Sequence, residues 1–368
     1  MRKHLAIATT VALGLSAGHL ALAGSQGYIV TNWVPAMNNV DDSGCPGGRN
    51  PGPRDVLIAS LKERGMTQEE IDKIADPTKL NTTIYGQYMG RRGKDGDKPV
   101  SIYTHPLSVP DTNIKLDQAK EGFGFNLDGK EGPLDYTDPL THETGVDNVA
   151  ARVFGCFDRT RGTYKAPPGN WSYRWTHYTE GNTWLVEVAN NKAEPLNLES
   201  EDNVTVKFYR GMQLPIKNGV GYQRNVTYTI DPDTRLKSLT SFKGKIRKRV
   251  FTAEVTPEFR MIASPRIHPV FDFKSVHMRM TFNPDGTVEA FVGGYVPIEQ
   301  VYFPFGSYGI YAEYTGGMDL VGVYHALQKN ADTDIDRDPK TRQRTRISQT
   351  YQLSAVPAFL ARVAAAIE

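Results

Sequence analysis

The sequence predicts a mainly β protein: an antiparallel β-sandwich of jelly-roll type, or a barrel, with a short helical pair near the N-terminus and helices near the C-terminus. Three observations point that way. Short runs of alternating polarity recur between residues 171 and 292, the spacing of half-buried strands. Turn-forming clusters such as Asp231-Pro232-Asp233 and Asn283-Pro284-Asp285-Gly286 separate them. No strand-helix alternation is present, which disfavours doubly wound and α/β-barrel folds.

The first 23 residues read as a cleavable export signal. Arg2 and Lys3 precede an apolar run from Leu5 to Leu15, and Ala21-Leu22-Ala23 is a small-x-small cleavage pattern. The run is too short for a membrane span, and no later stretch approaches the ~20 apolar residues that one needs. A periplasmic or secreted location follows. The G-x-S-x-G match at Gly14–Gly18 lies inside this segment, so it carries no nucleophile. Cleavage after Ala23 removes two of the 43 basic residues and none of the 41 acidic ones. The rest balances at zero, and nothing in it asks for nucleic acid.

Residues 24–120 are expected to be an irregular segment carrying the helical pair. Pro53 suits the first turn of one helix, with Val56, Leu57 and Leu61 on its buried side and Gly65 at its end. Thr67 and Glu70 form a capping box for a second, whose buried face is Ile71 and Ile74. Residues 121–310 are expected to be the β-rich domain. Its strands are predicted at 171–178, 183–188, 204–209, 226–230, 245–255, 270–282 and 287–292. Residues 311–368 are expected to hold a helix from Met318 to Asn330, an acidic loop, a strand from Ile347 and an Ala-rich terminal helix after Pro357.

The chain has two cysteines, Cys45 and Cys156, and in an oxidising compartment they are expected to pair. Gly124-Phe125-Asn126-Leu127-Asp128-Gly129, followed by Gly145-Val146-Asp147-Asn148 and Gly155-Cys156, resembles a group of uncharacterised secreted proteobacterial proteins. These share a G-x-N-L-D-G segment and a G-x-D-N segment that ends in Gly-Cys. Cys45-Pro46-Gly47-Gly48, Tyr324–Leu327 and Val356–Phe359 fit the same pattern. The resemblance implies export and carries no catalytic residue across. Some members have a further Cys between the two central motifs, where this chain has Asp138 to His142, so no second disulfide is expected.

Candidate sites follow from residue chemistry. Asp332, Asp334, Asp336 and Asp338 alternate like the first half of a calcium loop, although Arg337 and Gln343 stand where such a loop needs Gly and Glu. Calcium is therefore the one cofactor to expect, against a solvated turn partly neutralised by Arg337, Lys340, Arg342, Arg344 and Arg346. Asp147 and Asn148, within the acidic group Asp128, Asp135, Asp138 and Glu143, are candidates for ligand binding or for turn capping. Trp171, Tyr173 and Trp175 share one strand face, which suits sugar stacking or simply a core. Lys243, Lys245, Arg247 and Arg249 make a cationic strand face, for an anionic polymer or for blocking edge pairing. No nucleotide, haem or zinc pattern occurs. The expected function is a β-rich binding or structural protein for a glycan or envelope polymer, possibly calcium-stabilised. The alternative is a secreted polysaccharide hydrolase.

Overall fold

The computed structural model describes residues 24–38, 41–90, 93–161, 183–190, 192–219, 221–232, 241–261, 270–306 and 308–363. The predicted signal segment and the triad Trp171, Tyr173 and Trp175 lie outside these residues, as does the strand expected at 171–178. The strands are Ser25–Pro35 (β1), Gly93–Asp95 (β2), Lys98–Val100 (β3), Thr183–Ala189 (β4), Ser200–Gly211 (β5), Lys217–Asn218 (β6), Gly221–Tyr222 (β7), Val226–Ile230 (β8), Phe242–Arg247 (β9), Val250–Ala253 (β10), Thr256–Met261 (β11), Phe271–Phe282 (β12), Val288–Pro297 (β13) and Arg346–Arg362 (β14). The α-helices are Pro53–Glu63 (α1), Gln68–Ile74 (α2), Thr82–Met89 (α3), Val149–Phe154 (α4), Ile298–Gly306 (α5), Ile310–Gly316 (α6) and Leu320–Lys329 (α7).

Eight strands close into an antiparallel barrel in the order β1-β4-β5-β9-β10-β12-β13-β14, with β14 returning to β1. The barrel form of the expected fold is therefore correct, and the sandwich form is not. A closed ring removes the two edges that a sandwich leaves exposed. Every second side chain of the ring strands points into one core. Trp33, Trp184, Phe208, Phe242, Phe251, Met280, Val292 and Tyr351 come from the eight strands in turn and are all buried. Trp33 lies 5.2 Å from Trp184, edge to face, and 5.2 Å from Tyr351, stacked. Eight strands enclose about the volume that side chains can fill, and here aromatic rings fill it.

Three expectations are corrected. Residues 24–52 are not irregular throughout, because β1 runs from Ser25 to Pro35 with Tyr28, Val30 and Trp33 in the barrel core. The first part of the expected helix after Pro357 is instead strand, since β14 continues to Arg362, and residues 364–368 lie outside the described residues. Ala358 and Leu360 there bury against Ile29, Leu185, Tyr228 and Ile230 in a second core, and β8 runs parallel beside them. Alanine's helix preference is a few tenths of a kcal/mol per residue, less than such burial supplies. The ring draws β1 from the N-terminal part of the chain, six strands from between Thr183 and Pro297, and β14 from the C-terminal part. The predicted strand 245–255 is in turn a hairpin. Lys248 and Arg249 both have positive φ (49° and 64°), the two-residue turn that suits strand twist, here made without Gly or Asn.

The helical prediction near the N-terminus holds and gains a third member. Thr67 Oγ1 accepts the Glu70 N–H, and Glu70 accepts the Thr67 N–H, so α2 has its capping box. Val56, Leu57, Leu61 and Ile71 pack with Tyr85 and Met89 of α3 in a separate small core. Cys45 and Cys156 are disulfide-bonded, with Cα atoms 5.8 Å apart. No helix among the described residues is long and apolar enough to cross a membrane.

Candidate functional site

The segment from Glu121 to Asn148 lies across the outer face of the barrel. Phe123 stacks on Phe291 of β13, with ring centres 5.4 Å apart, and Phe125 lies 5.5 Å from His277 of β12. Asp138, fully buried, accepts a hydrogen bond from Arg279 of β12 at 2.8 Å. The two motifs noted in the sequence meet here. Asn126 Nδ2 donates to the carbonyls of Lys130 and Thr144. Asp147 Oδ2 accepts the Leu127 N–H at 2.7 Å. Gly145 has φ +70°, and a Cβ there would sit 2.1 Å from the Lys130 carbonyl, so the turn joining the motifs admits glycine alone.

Asn148 is a three-way clamp. Its Nδ2 donates to the carbonyls of Ala36 (3.1 Å) and Phe123 (2.9 Å), and its Oδ1 accepts the Thr350 N–H (3.1 Å). It is buried and fully used, so it acts as the turn-holding residue of the pair. Asp147 is different. It is 7% exposed, its second oxygen Oδ1 has no protein partner among the described residues, and burial pushes its pKa up to about 7. The Leu127 N–H works against that rise, and the like charges of Asp135, Asp332 and Asp128 add to it.

Asp332 comes to the same place from the acidic loop. It accepts the Ser348 N–H at 2.8 Å and the Ser348 hydroxyl, and Ser348 Oγ accepts the Val149 N–H at 2.9 Å. Burial raises the Asp332 carboxyl to about 6, against the hydrogen bonds from Ser348. Tyr295 of β13 stands directly across from Ser348 of β14 in the register. It is 4% exposed, and its hydroxyl makes no hydrogen bond among the described residues. Burial raises its pKa first, then the neighbouring Asp147, Asp332, Asp128 and Asp135. A bulge in β12 sits beside it. Ser275 has φ +51°, and the register slips between Lys274 and His277, opposite Gly293 and Gly294. A Cβ on Gly294 would lie 2.8 Å from the Lys274 carbonyl. Bulges of this kind re-aim side chains next to sites.

The four alternating aspartates do not converge. Asp332 serves Ser348, and Asp334 Oδ1 accepts from Arg337 (2.6 Å) and Arg344 (2.8 Å). Asp336 accepts from Arg346 at 2.8 Å, and Asp338 accepts the N–H groups of Lys340 and Thr341. The arginine-neutralised turn is thus what forms, and of the five expected basic residues Arg337, Arg344 and Arg346 are the ones whose side chains pair with the aspartates. Among the described residues no three His, Cys, Asp or Glu side chains are placed to hold a metal ion together. A cleft of about 310 Å³ beside this loop is lined by His325, Gln328, Lys329, Ala331, Gln343 and Arg344. Its cations are engaged, Lys329 by Asp111 and Arg344 by Asp334. The cationic strand face is partly spent too, Arg247 on Asp202 and Arg249 on Glu199.

No family model, curated protein or solved structure matches the chain.

Sequence reasoning found Asp147, Asn148 and Asp332 but assigned them to two separate sites, and it passed over Tyr295 and Ser348. The paired glycines before Tyr295 were the available signal, since Gly-Gly inside a strand marks a bulge or a close approach. Burial raises the carboxyls of Asp147 and Asp332 to about 7 and about 6, both act electrostatically on the Tyr295 phenol, and Asp147 keeps one oxygen open.

Proposed function

We propose that this chain is an exported β-barrel protein that binds a polysaccharide or other envelope polymer on the outer face of its barrel. One observation carries this. Asn148, Asp138 and the alternating aspartates are committed to holding the fold, while Asp147, in the segment that lies over the outside of the barrel, keeps one carboxylate oxygen open. The packed aromatic interior supports an exterior site. The disulfide, the apparent signal segment and the likeness to secreted proteobacterial proteins support a periplasmic or extracellular location. Calcium stabilisation, the finer form of this proposal, draws no support from the separated aspartates.

The test is co-sedimentation of purified protein with insoluble cell-wall sacculi and with insoluble plant and bacterial polysaccharides. Saturable retention on at least one of them, without release of reducing ends, is the expected result. A hydrolase is the second proposal, and the raised carboxyls of Asp147 and Asp332 favour it, since glycoside cleavage needs a protonated acid next to a second carboxylate. Release of reducing ends that disappears in Asp147→Asn would establish the hydrolase and overturn the binding proposal.

A further inference from the structure

We propose that the cleft between the end of α7 and the loop before β14 holds a neutral sugar residue, recognised through its hydroxyl groups. This goes beyond polymer binding at Asp147, since the cleft is another place with other side chains. Its volume, about 310 Å³, is at the small end of the range for ligand sites. His325, Gln328 and Lys329 share one side of α7 through the three- and four-residue spacing of a helix. Gln343 and Arg344 complete the cleft from the loop, and of its described lining residues only Ala331 is apolar.

These groups keep unused hydrogen-bonding capacity. The side-chain amides of Gln328 and Gln343 have no protein partner among the described residues. Arg344 gives Nε to Asp334 and Nη1 to the Ala331 carbonyl, which leaves Nη2 open. A carbonyl can only accept, so His325 donates Nε2 to Val109 at 3.1 Å, and Nδ1 of the neutral ring is a free acceptor. Lys329 donates to Asp111 and has further N–H groups to give. The two long cationic side chains are thus already held, and a ligand that meets them need not order them again. Charge then decides the class of ligand. Lys329 and Arg344 each face a carboxylate, Asp111 and Asp334. An entering anion would meet those carboxylates as well as the cations, and an entering cation would meet Lys329 and Arg344. An apolar ligand would strip water from the amides and replace none of its hydrogen bonds. A sugar residue brings hydroxyl groups that both donate and accept, which suits two amides, a guanidinium edge and an imidazole nitrogen.

The experiment titrates short oligomers of cellulose, chitin and pectate, equal in length, into the purified protein and reads binding by calorimetry at neutral pH. The first two are neutral, and the third carries a carboxylate on every residue. At least one neutral oligomer is expected to bind ~10-fold or more tightly than the pectate oligomer. Gln328→Ala combined with Gln343→Ala is expected to weaken that binding by at least ~10-fold, with cooperative melting retained so that loss of fold is excluded. Asp147→Asn is expected to leave it unchanged. No binding of either neutral oligomer, pectate binding as tight or tighter, or an affinity untouched by the paired glutamine substitutions would overturn the proposal. Neutral-oligomer binding that Asp147→Asn abolishes and the glutamine substitutions leave intact would sink the cleft and leave polymer binding at Asp147 standing. The reverse pattern would establish the cleft and take Asp147 out of recognition.

Discussion

At the scale of single residues, Asp147 sets a pH dependence opposite to ordinary acid denaturation. Its folded pKa, about 7, lies above the unfolded value of ~3.9. The native state therefore holds this proton over a range where the unfolded chain releases it. The stability so gained is fully present below ~4 and is lost as pH rises through about 7. Asp147→Asn cannot ionise, and its carbonyl oxygen can still accept the Leu127 N–H. It should melt higher than the wild type near pH 8, by roughly 2 to 4 kcal/mol equivalent. The difference should shrink steadily as pH falls below about 7 and vanish only below ~4, where the unfolded carboxyl is protonated as well. Equal melting curves at both pH values would remove Asp147 as the cause. The Asp147-Asn148 pair was legible because both residues sit in one short motif of turn-forming chemistry. Tyr295 and Ser348 were not, since each looks like an ordinary strand residue until the β13–β14 register and the β12 bulge bring it to the carboxylates.

At the scale of elements, the bulge and the acidic loop each carry a prediction. Ser275 holds positive φ without being glycine or asparagine, at a cost of about 1 to 2 kcal/mol. Ser275→Gly should relieve it and raise the denaturation midpoint by an amount of about that size, less the greater chain freedom glycine gives the unfolded state. A lower midpoint would mean that the serine side chain contributes more than the backbone strain takes away. For the acidic loop, arginine pairing and calcium binding give opposite outcomes. Pairing of Asp334 with Arg337 and Arg344, and of Asp336 with Arg346, predicts a melting temperature that falls with added salt and ignores calcium. Calcium binding predicts a gain of about 2.7 kcal/mol once the ion exceeds its dissociation constant a hundredfold. A differential scan in calcium and in chelator separates them, and the expected result is no shift. Element types were legible where polarity alternated or a cap was explicit, as in β12 and α2. They failed where tertiary burial outweighed local preference, as in β14 beyond Pro357, and where a turn was made by Lys248 and Arg249.

At the scale of the whole molecule, the Cys45–Cys156 bridge ties the chain after β1 to the end of α4, with 111 positions between its ends. A loop of that length is worth ~4 to 5 kcal/mol in the chain-entropy model. Reduction, or Cys45→Ser with Cys156→Ser, should lower the melting temperature by roughly 6 °C, read by circular dichroism with and without reductant. The cysteine pairing was legible because the chain has just two cysteines; barrel against sandwich was not, since it depends on whether the first and last strands meet. They do meet, Gly27 facing Ala358 and Pro35 facing Tyr351. That seam governs when folding can happen. No stretch of the chain that has emerged without β14 can complete the ring, and until then β1 and β13 each present an open row of backbone donors and acceptors. The chain must therefore wait for β14 before it is safe from its neighbours. Long-range pairing of this kind is slow, so the aggregation risk lasts until β14 has paired with both β1 and β13, and a holding chaperone is most useful before then.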